Sequence, residues 1–419
     1  MRFSPVVLTL LASSFGVACG GSGDGQPSDG GDPTSEVKLE VFSWWVQPGE
    51  REALQALFDL HKSEHPNQRI FNAAEASGPI AKEVLAERLD AGEPPDLFQQ
   101  NAYEMRAFLE QHPGDVQPLD ELFAEQGLAE AIAPEVIDAI TVDGHIYSVP
   151  INAHRENSLF YNKELFDEHE LQAPATLDEF LAACETLKQA GVTPVALSTS
   201  QSWIVSKLFI SLAMGSMGGS AFRDYFSGES PLDEQAFGAA IDVLDTVLTE
   251  YIDVEQAATD GFGWTQCAES VFRGEAAMLL HGDWAKGYFS RLGWTPDVDF
   301  GVVGAPGASE VFLYGTDVFG VPTGAKHSEE AFEFVRTIAS KQGQVAFNTY
   351  KGSSPVRLDV PTDDFDPMAR QVIDDFKNAE IRISLKWQNT WDDALGAFAT
   401  DHDHEALLAA FRDNPPEGG

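Results

Sequence analysis

The chain is 419 residues long with 43% hydrophobic residues. That length exceeds what one hydrophobic core organises, so two lobes are expected. Its 67 acidic against 26 basic residues leave a net charge of −41. This argues against nucleic acid or an anionic membrane surface as partner and, less strongly, against an anionic substrate.

In chain order, residues 1–18 read as an export signal. Arg2 opens it, Val6 to Leu11 with Phe15 and Val17 supply an apolar stretch too short to span a bilayer, and small residues lead to Cys19. Gly16-Val17-Ala18-Cys19 resembles a lipoprotein box, in which Cys19 would become the lipid-modified first residue; a plain secretory signal is the alternative. Residues 19–35 form a polar Gly/Ser/Asp/Pro tether.

Residues 37–43 alternate as a strand does: Val37, Leu39 and Val41 fall on one side, Lys38, Glu40 and Phe42 on the other. The strand ends on Trp44-Trp45, just before a helical pattern opening at Glu50. Ligands of open α/β sheets lie beyond the carboxyl ends of strands, and an indole there suits the C–H face of a sugar ring. Alternatively, either indole plugs the strand–helix junction. Further helical patterns cover 50–61 and 80–89, and Pro94-Pro95 leads into a buried strand tipped by Gln99-Gln100-Asn101. Amides both donate and accept, as a sugar hydroxyl requires.

A turn and strand follow over 144–152, with a crossing between lobes near 149–150, then another strand over 158–163. Thr176 and Glu179 form a capping box before a helix carrying Phe180, Leu181, Cys184 and Leu187, closed by Gly191. An apolar strand over 276–280 ends in His281-Gly282-Asp283-Trp284. Strand 300–303, the hydrophobic run 311–321 around Gly315-Thr316-Asp317, a helix over 329–340, a final helical region ending by Phe411 and a tail at 414–419 complete the pattern. Strands alternating with helices indicate α/β.

Besides Cys19, the cysteines are Cys184 and Cys267, which are either disulfide-bonded or buried thiols. His61-Lys-Ser-Glu64-His65 has the spacing of an inverted zinc-protease motif, but it ends a helix directly before Pro66 and lacks a third ligand. His402 and His404 at a helix start are likewise a weak metal candidate. No phosphate-binding Gly-Lys-Ser/Thr loop and no Gly-x-Ser-x-Gly elbow occurs. No metal and no cofactor is expected.

The segments KLEVFSWW (38–45), GEPPDLFQ (92–99), YSVPINAHREN (147–157), DEFLAACETLKQAG (178–191), GWTQCAES (263–270), HGDWAKGYF (281–289), GTDVFGVPTGAK (315–326) and YKGSSPVRLD (350–359) together resemble the periplasmic solute-binding proteins of ABC sugar importers. Within that maltose-binding-like group the chain is most similar to bacterial glucose-binding proteins. The resemblance implies a two-lobed periplasmic-binding-protein fold of type II, its discontinuous lobes joined by hinge strands. These lobes would be 37–148 with 306–352, and 149–305 with 353–413.

The resemblance also implies a site. Trp44 and Trp45 match a sugar-stacking pair and Glu50 a hydroxyl-binding acid. Gln99, His154, Trp264, Asp283, Trp284, Asp317 and Lys351 match contact or cleft-lining positions. Asp317 beside Lys351 would let each keep its charge while gripping neighbouring hydroxyls. Asn101 stands where the glucose binders have a histidine, and Trp387, in Lys386-Trp387-Gln388, lies where they have another. The implied ligand is a monosaccharide, glucose first, and the implied partners are the membrane-spanning permease subunits of an importer. The protein would be a monomer, held to the membrane only through its lipid, and not an enzyme. An exported glycosidase and a sugar-sensing lipoprotein are the alternatives.

Overall fold

The structure, a computed structural model, describes residues 36–74, 78–384 and 391–416. Cys19, the export signal, the tether and Trp387 therefore lie outside the described residues. A five-stranded sheet runs in the order Gln68–Asn72, Val37–Phe42, Leu97–Asn101, Asp317–Gly320, Val149–Pro150. The first three strands are parallel and Asp317–Gly320 is antiparallel, placing Asp317 opposite Asn101 and Phe319 opposite Gln99.

The alternation in the first strand is realised: Leu39 and Val41 are buried while Lys38 is exposed. The following helix, Glu50–Glu64, buries Ala53, Leu54, Leu57 and Phe58. Its start is fixed by Gly49 at φ 86°, whose backbone N–H donates to the Glu52 carboxylate at 2.7 Å.

A second, four-stranded sheet runs Phe300–Gly304, Ser158–Asn162, Ala276–His281, Thr193–Val195. The capping box forms as expected: Thr176 Oγ1 accepts from the Glu179 N–H at 3.2 Å, opening Leu177–Gln189. Beside this sheet lies the helix Ser202–Met217, buried on nearly every side. A three-stranded sheet runs Ile381–Ser384, Val311–Gly315, His154–Arg155; its last two strands fall in sequence between strands of the other two sheets. Its strand Val311–Gly315 continues through Thr316 into Asp317–Gly320 of the first sheet. Ala153 and Ser354 exchange backbone hydrogen bonds, at 2.8 and 3.0 Å, beside that crossing.

The two largest hydrophobic cores follow these sheets. One gathers residues from Leu39 to Ala153 and from Phe312 onward, including Val372 and Phe376. The other gathers residues from Leu159 to Ala308 and from Ile381 to Phe411. The result is a two-lobed α/β fold. Cys184 and Cys267 are free, buried thiols, and burial pushes both pKa values up. His61 is a core residue: Nδ1 meets Thr337 Oγ1 at 2.7 Å and Nε2 meets Gln68 Oε1 at 2.9 Å, so both nitrogens are engaged within the protein.

Candidate functional site

The strand ends bring a charged network to the crossing between lobes. Asp317 Oδ1 accepts from Gln99 Nε2 at 2.9 Å and Asn101 Nδ2 at 3.0 Å, and its Oδ2 accepts from Asn152 Nδ2 at 2.9 Å. His154 Nε2 reaches the same oxygen at 3.1 Å. These donors fill the acceptor capacity of a carboxylate.

On its other edge, His154 Nδ1 lies 2.5 Å from Asp283 Oδ1, and Asp283 Oδ2 accepts from the Arg155 N–H at 2.7 Å. Burial alone would lower the His154 pKa, but the Asp283 charge and the hydrogen bonds to Asp283 and Asp317 raise it to about 9. Asp317 is held below its ordinary value: burial opposes this, while the His154 hydrogen bond and charge and the Lys351 charge outweigh it. Gln99 is fully buried and engaged at both ends, since its Oε1 accepts from Ser43 Oγ at 2.7 Å. Gln99, Asn101, His154, Asp283 and Asp317, expected as ligand contacts, are thus bonded to one another or to protein neighbours. A hydroxyl at Asp317 would have to displace one of its protein donors.

Lys351 does not pair with Asp317 as expected. At the end of the helix Lys341–Lys351, its Nζ lies 2.7 Å from Glu50 Oε1. The same Nζ sits 5.3 Å from the centre of the Trp45 ring and 5.9 Å from that of Trp284. Trp45 itself is 1% exposed and packs against Phe319 and Phe347, with ring centres 5.6 and 4.8 Å away. Of the expected stacking pair, Trp45 is therefore core and Trp44 is the half-buried member.

Around this floor, indoles and lysines alternate. Lys82 Nζ lies 4.8 Å from the centre of the Trp44 ring and 2.5 Å from Glu104. From the second lobe, Lys207 binds Glu156 and sits 5.0 Å from Trp284 and 5.8 Å from Trp203. Trp264 stacks on His281 at 5.5 Å, and Trp284 meets the same imidazole edge-on at 4.9 Å. The Trp284 ring covers Gly282 so closely that a Cβ there would fall 1.9 Å from it. Tyr103 joins the two sides: burial, then the charges of Glu104, Glu156 and Asp392, hold its hydroxyl pKa well above the ordinary value. Arg155 and Glu156 do not pair with each other; Arg155 binds Asp375 at 2.8 Å.

Lys351 links Glu50 and Trp284, and His281 links Trp284 and Trp264, while Trp44 is approached by Lys82. Sequence reading missed Tyr103, Glu104, Glu156, Trp203, Lys207 and His281. His281 carried a readable signal, as the last residue of an apolar strand. Trp203 carried little, because the helix it opens has no polar face to reveal its register.

The family model for bacterial extracellular solute-binding proteins matches residues 47–345. An uncharacterized ABC transporter extracellular-binding protein of Pyrococcus horikoshii is 32% identical over 385 residues, covering 90% of this chain and 85% of that protein. A "probable sugar-binding periplasmic protein" of Brucella melitensis biotype 1 is 30% identical over 353 residues, covering 83% of this chain and 81% of that one. Among solved structures, one from work on xylan utilization by Caldanaerobius polysaccharolyticus superposes with a TM-score of 0.76 at 22% identity, over 90% of this chain and 99% of the other. This last likeness concerns the fold alone. By the family match and the relatives' identity over most of their length, the chain belongs to the bacterial extracellular solute-binding proteins.

Proposed function

We propose that this protein is the extracytoplasmic binding component of an ABC sugar importer, holding an uncharged monosaccharide, glucose foremost, between its lobes and delivering it to the permease. The observation that carries this reading is the pairing, among the described residues, of three lysines with glutamates beside indoles: Lys82 with Glu104 at Trp44, Lys207 with Glu156 at Trp203 and Trp284, and Lys351 with Glu50 at Trp284. Indole faces suit the C–H surface of a pyranose, and ionised pairs make charge-assisted hydrogen bonds to its hydroxyls. With each of these three cations matched, a carboxylated sugar would find no spare counter-charge among them.

Pairing also speaks against the glycosidase alternative. Glu50, Glu104 and Glu156 are each bound to a lysine, whereas a glycosidase needs a carboxyl free to hand its proton to the leaving oxygen. In this reading the protein does no chemistry. Cys19 anchors it to the membrane, so that Cys19→Ala releases it in soluble form. The test of specificity is calorimetric titration with a panel of hexoses, pentoses and disaccharides. D-glucose binding most tightly supports the reading; preference for a disaccharide or an acidic sugar removes its finer part.

A further inference from the structure

The buried histidines divide into two kinds. His61 and His154 each have both ring nitrogens engaged, by Thr337 and Gln68 in one case and by Asp283 and Asp317 in the other. His281 is as deeply buried, at 1% exposure, yet neither of its nitrogens meets a hydrogen-bond partner among the described residues. Buried polar atoms in folded proteins nearly always find a partner, so a pair of orphans on one ring calls for an occupant from outside the chain.

The surroundings specify that occupant. His281 ends the strand Ala276–His281, on the side of the sheet where Trp284 begins the next helix. Its ring is caged by Trp264, stacked at 5.5 Å, by Trp203 at 5.4 Å and by Trp284 at 4.9 Å. Burial, reinforced by the charges of Lys207 and Lys351, keeps the imidazole neutral. A neutral imidazole offers one N–H donor and one lone-pair acceptor, the complement of hydroxyls that accept and donate.

We propose that His281 is a specificity-determining ligand contact, whose two free ring nitrogens hydrogen-bond hydroxyls of a neutral sugar held among Trp203, Trp264 and Trp284. This rests on the sugar-binding reading and adds to it the residue that distinguishes one hydroxyl pattern from another.

The test compares the full chain with His281→Phe, which keeps an aromatic ring in the cage and removes both nitrogens, and with His281→Gln as a polar alternative should the phenylalanine variant not fold. A structural histidine with unmet nitrogens can be replaced by an apolar ring without loss, whereas a ligand contact cannot. The expected result is an unliganded melting temperature equal to the parent's or higher, with D-glucose affinity at least tenfold weaker. Parent and variant should then converge for the monodeoxyglucose lacking the contacted hydroxyl. In ¹⁵N spectra of imidazole-labelled parent, D-glucose should shift both His281 nitrogens. Parent-like D-glucose affinity and deoxyglucose ranking in the variant, or unmoved His281 resonances in a parent that binds D-glucose, would overturn the proposal while leaving the sugar-binding reading intact. Failure of the parent to bind any sugar would remove both.

Discussion

Glu50 and Lys351, 301 positions apart in the chain, meet at 2.7 Å, the lysine side chain 3% and the glutamate 11% exposed. A buried pair of this kind contributes little by existing, because desolvation offsets its attraction, but breaking it strands a charge. Glu50→Gln and Lys351→Met are each expected to destabilise the protein by about 3–5 kcal/mol. The double variant should recover much of that loss, as measured by thermal and denaturant unfolding. Additive losses would show that the pair does not act as a unit.

His154, raised to about 9 between Asp283 and Asp317, makes stability depend on pH. A group whose folded pKa exceeds its unfolded value binds a proton more tightly when folded. Its contribution is therefore complete below the unfolded pKa of about 6.5 and is lost as pH rises through about 9. Asp317, whose folded pKa is depressed, works oppositely: its contribution is present above the ordinary carboxylate range and fades as pH falls through the folded value. Melting temperatures should decline between pH 7 and 10, and His154→Gln should flatten that decline.

Trp44 and Trp45 should behave as different residues despite their adjacency. Trp45→Ala empties a site walled by Phe319 and Phe347 and should cost about 3–5 kcal/mol of stability. Trp44→Ala should leave the melting temperature within a few degrees of the parent's and abolish sugar binding. Unchanged affinity in Trp44→Ala would remove its stacking role.

Gly282→Ala tests the placement of Trp284. The added methyl would lie 1.9 Å from the indole, so the ring must turn away. Sugar affinity should fall at least tenfold and the tryptophan emission should change, while the two hydrophobic cores, which the change does not touch, keep the fold. Parent-like emission and affinity would show that Trp284 is not held by this contact.

The sequence was most legible where local periodicity and burial coincide. Leu39 and Val41 marked the first strand, the apolar run ending at His281 marked a central strand of the second sheet, and Thr176 with Glu179 marked a helix start. The helix Ser202–Met217 escaped because burial on nearly every side erases the amphipathic stripe. The spacing of His61, Glu64 and His65 matches a metal motif already set aside for its place at a helix end, but the role of His61 became readable only with Thr337, far along the chain, as its partner.

The site was legible as a set of strand ends but not as a set of roles. Which of two neighbouring indoles faces solvent depends on Phe319 and Phe347, which no local pattern around residue 45 announces. Likewise Lys351 could have met Asp317, but Asp317 was already saturated by Gln99, Asn101, Asn152 and His154. Partner choice among distant charges is a tertiary property.

The most direct measurement is isothermal titration of the purified protein with D-glucose, followed by analysis of the recovered sugar. The account predicts saturable one-to-one binding, quenched or shifted tryptophan emission, and sugar recovered unchanged. Absence of binding to D-glucose and to every other sugar of the panel, or conversion of the added sugar, would contradict it.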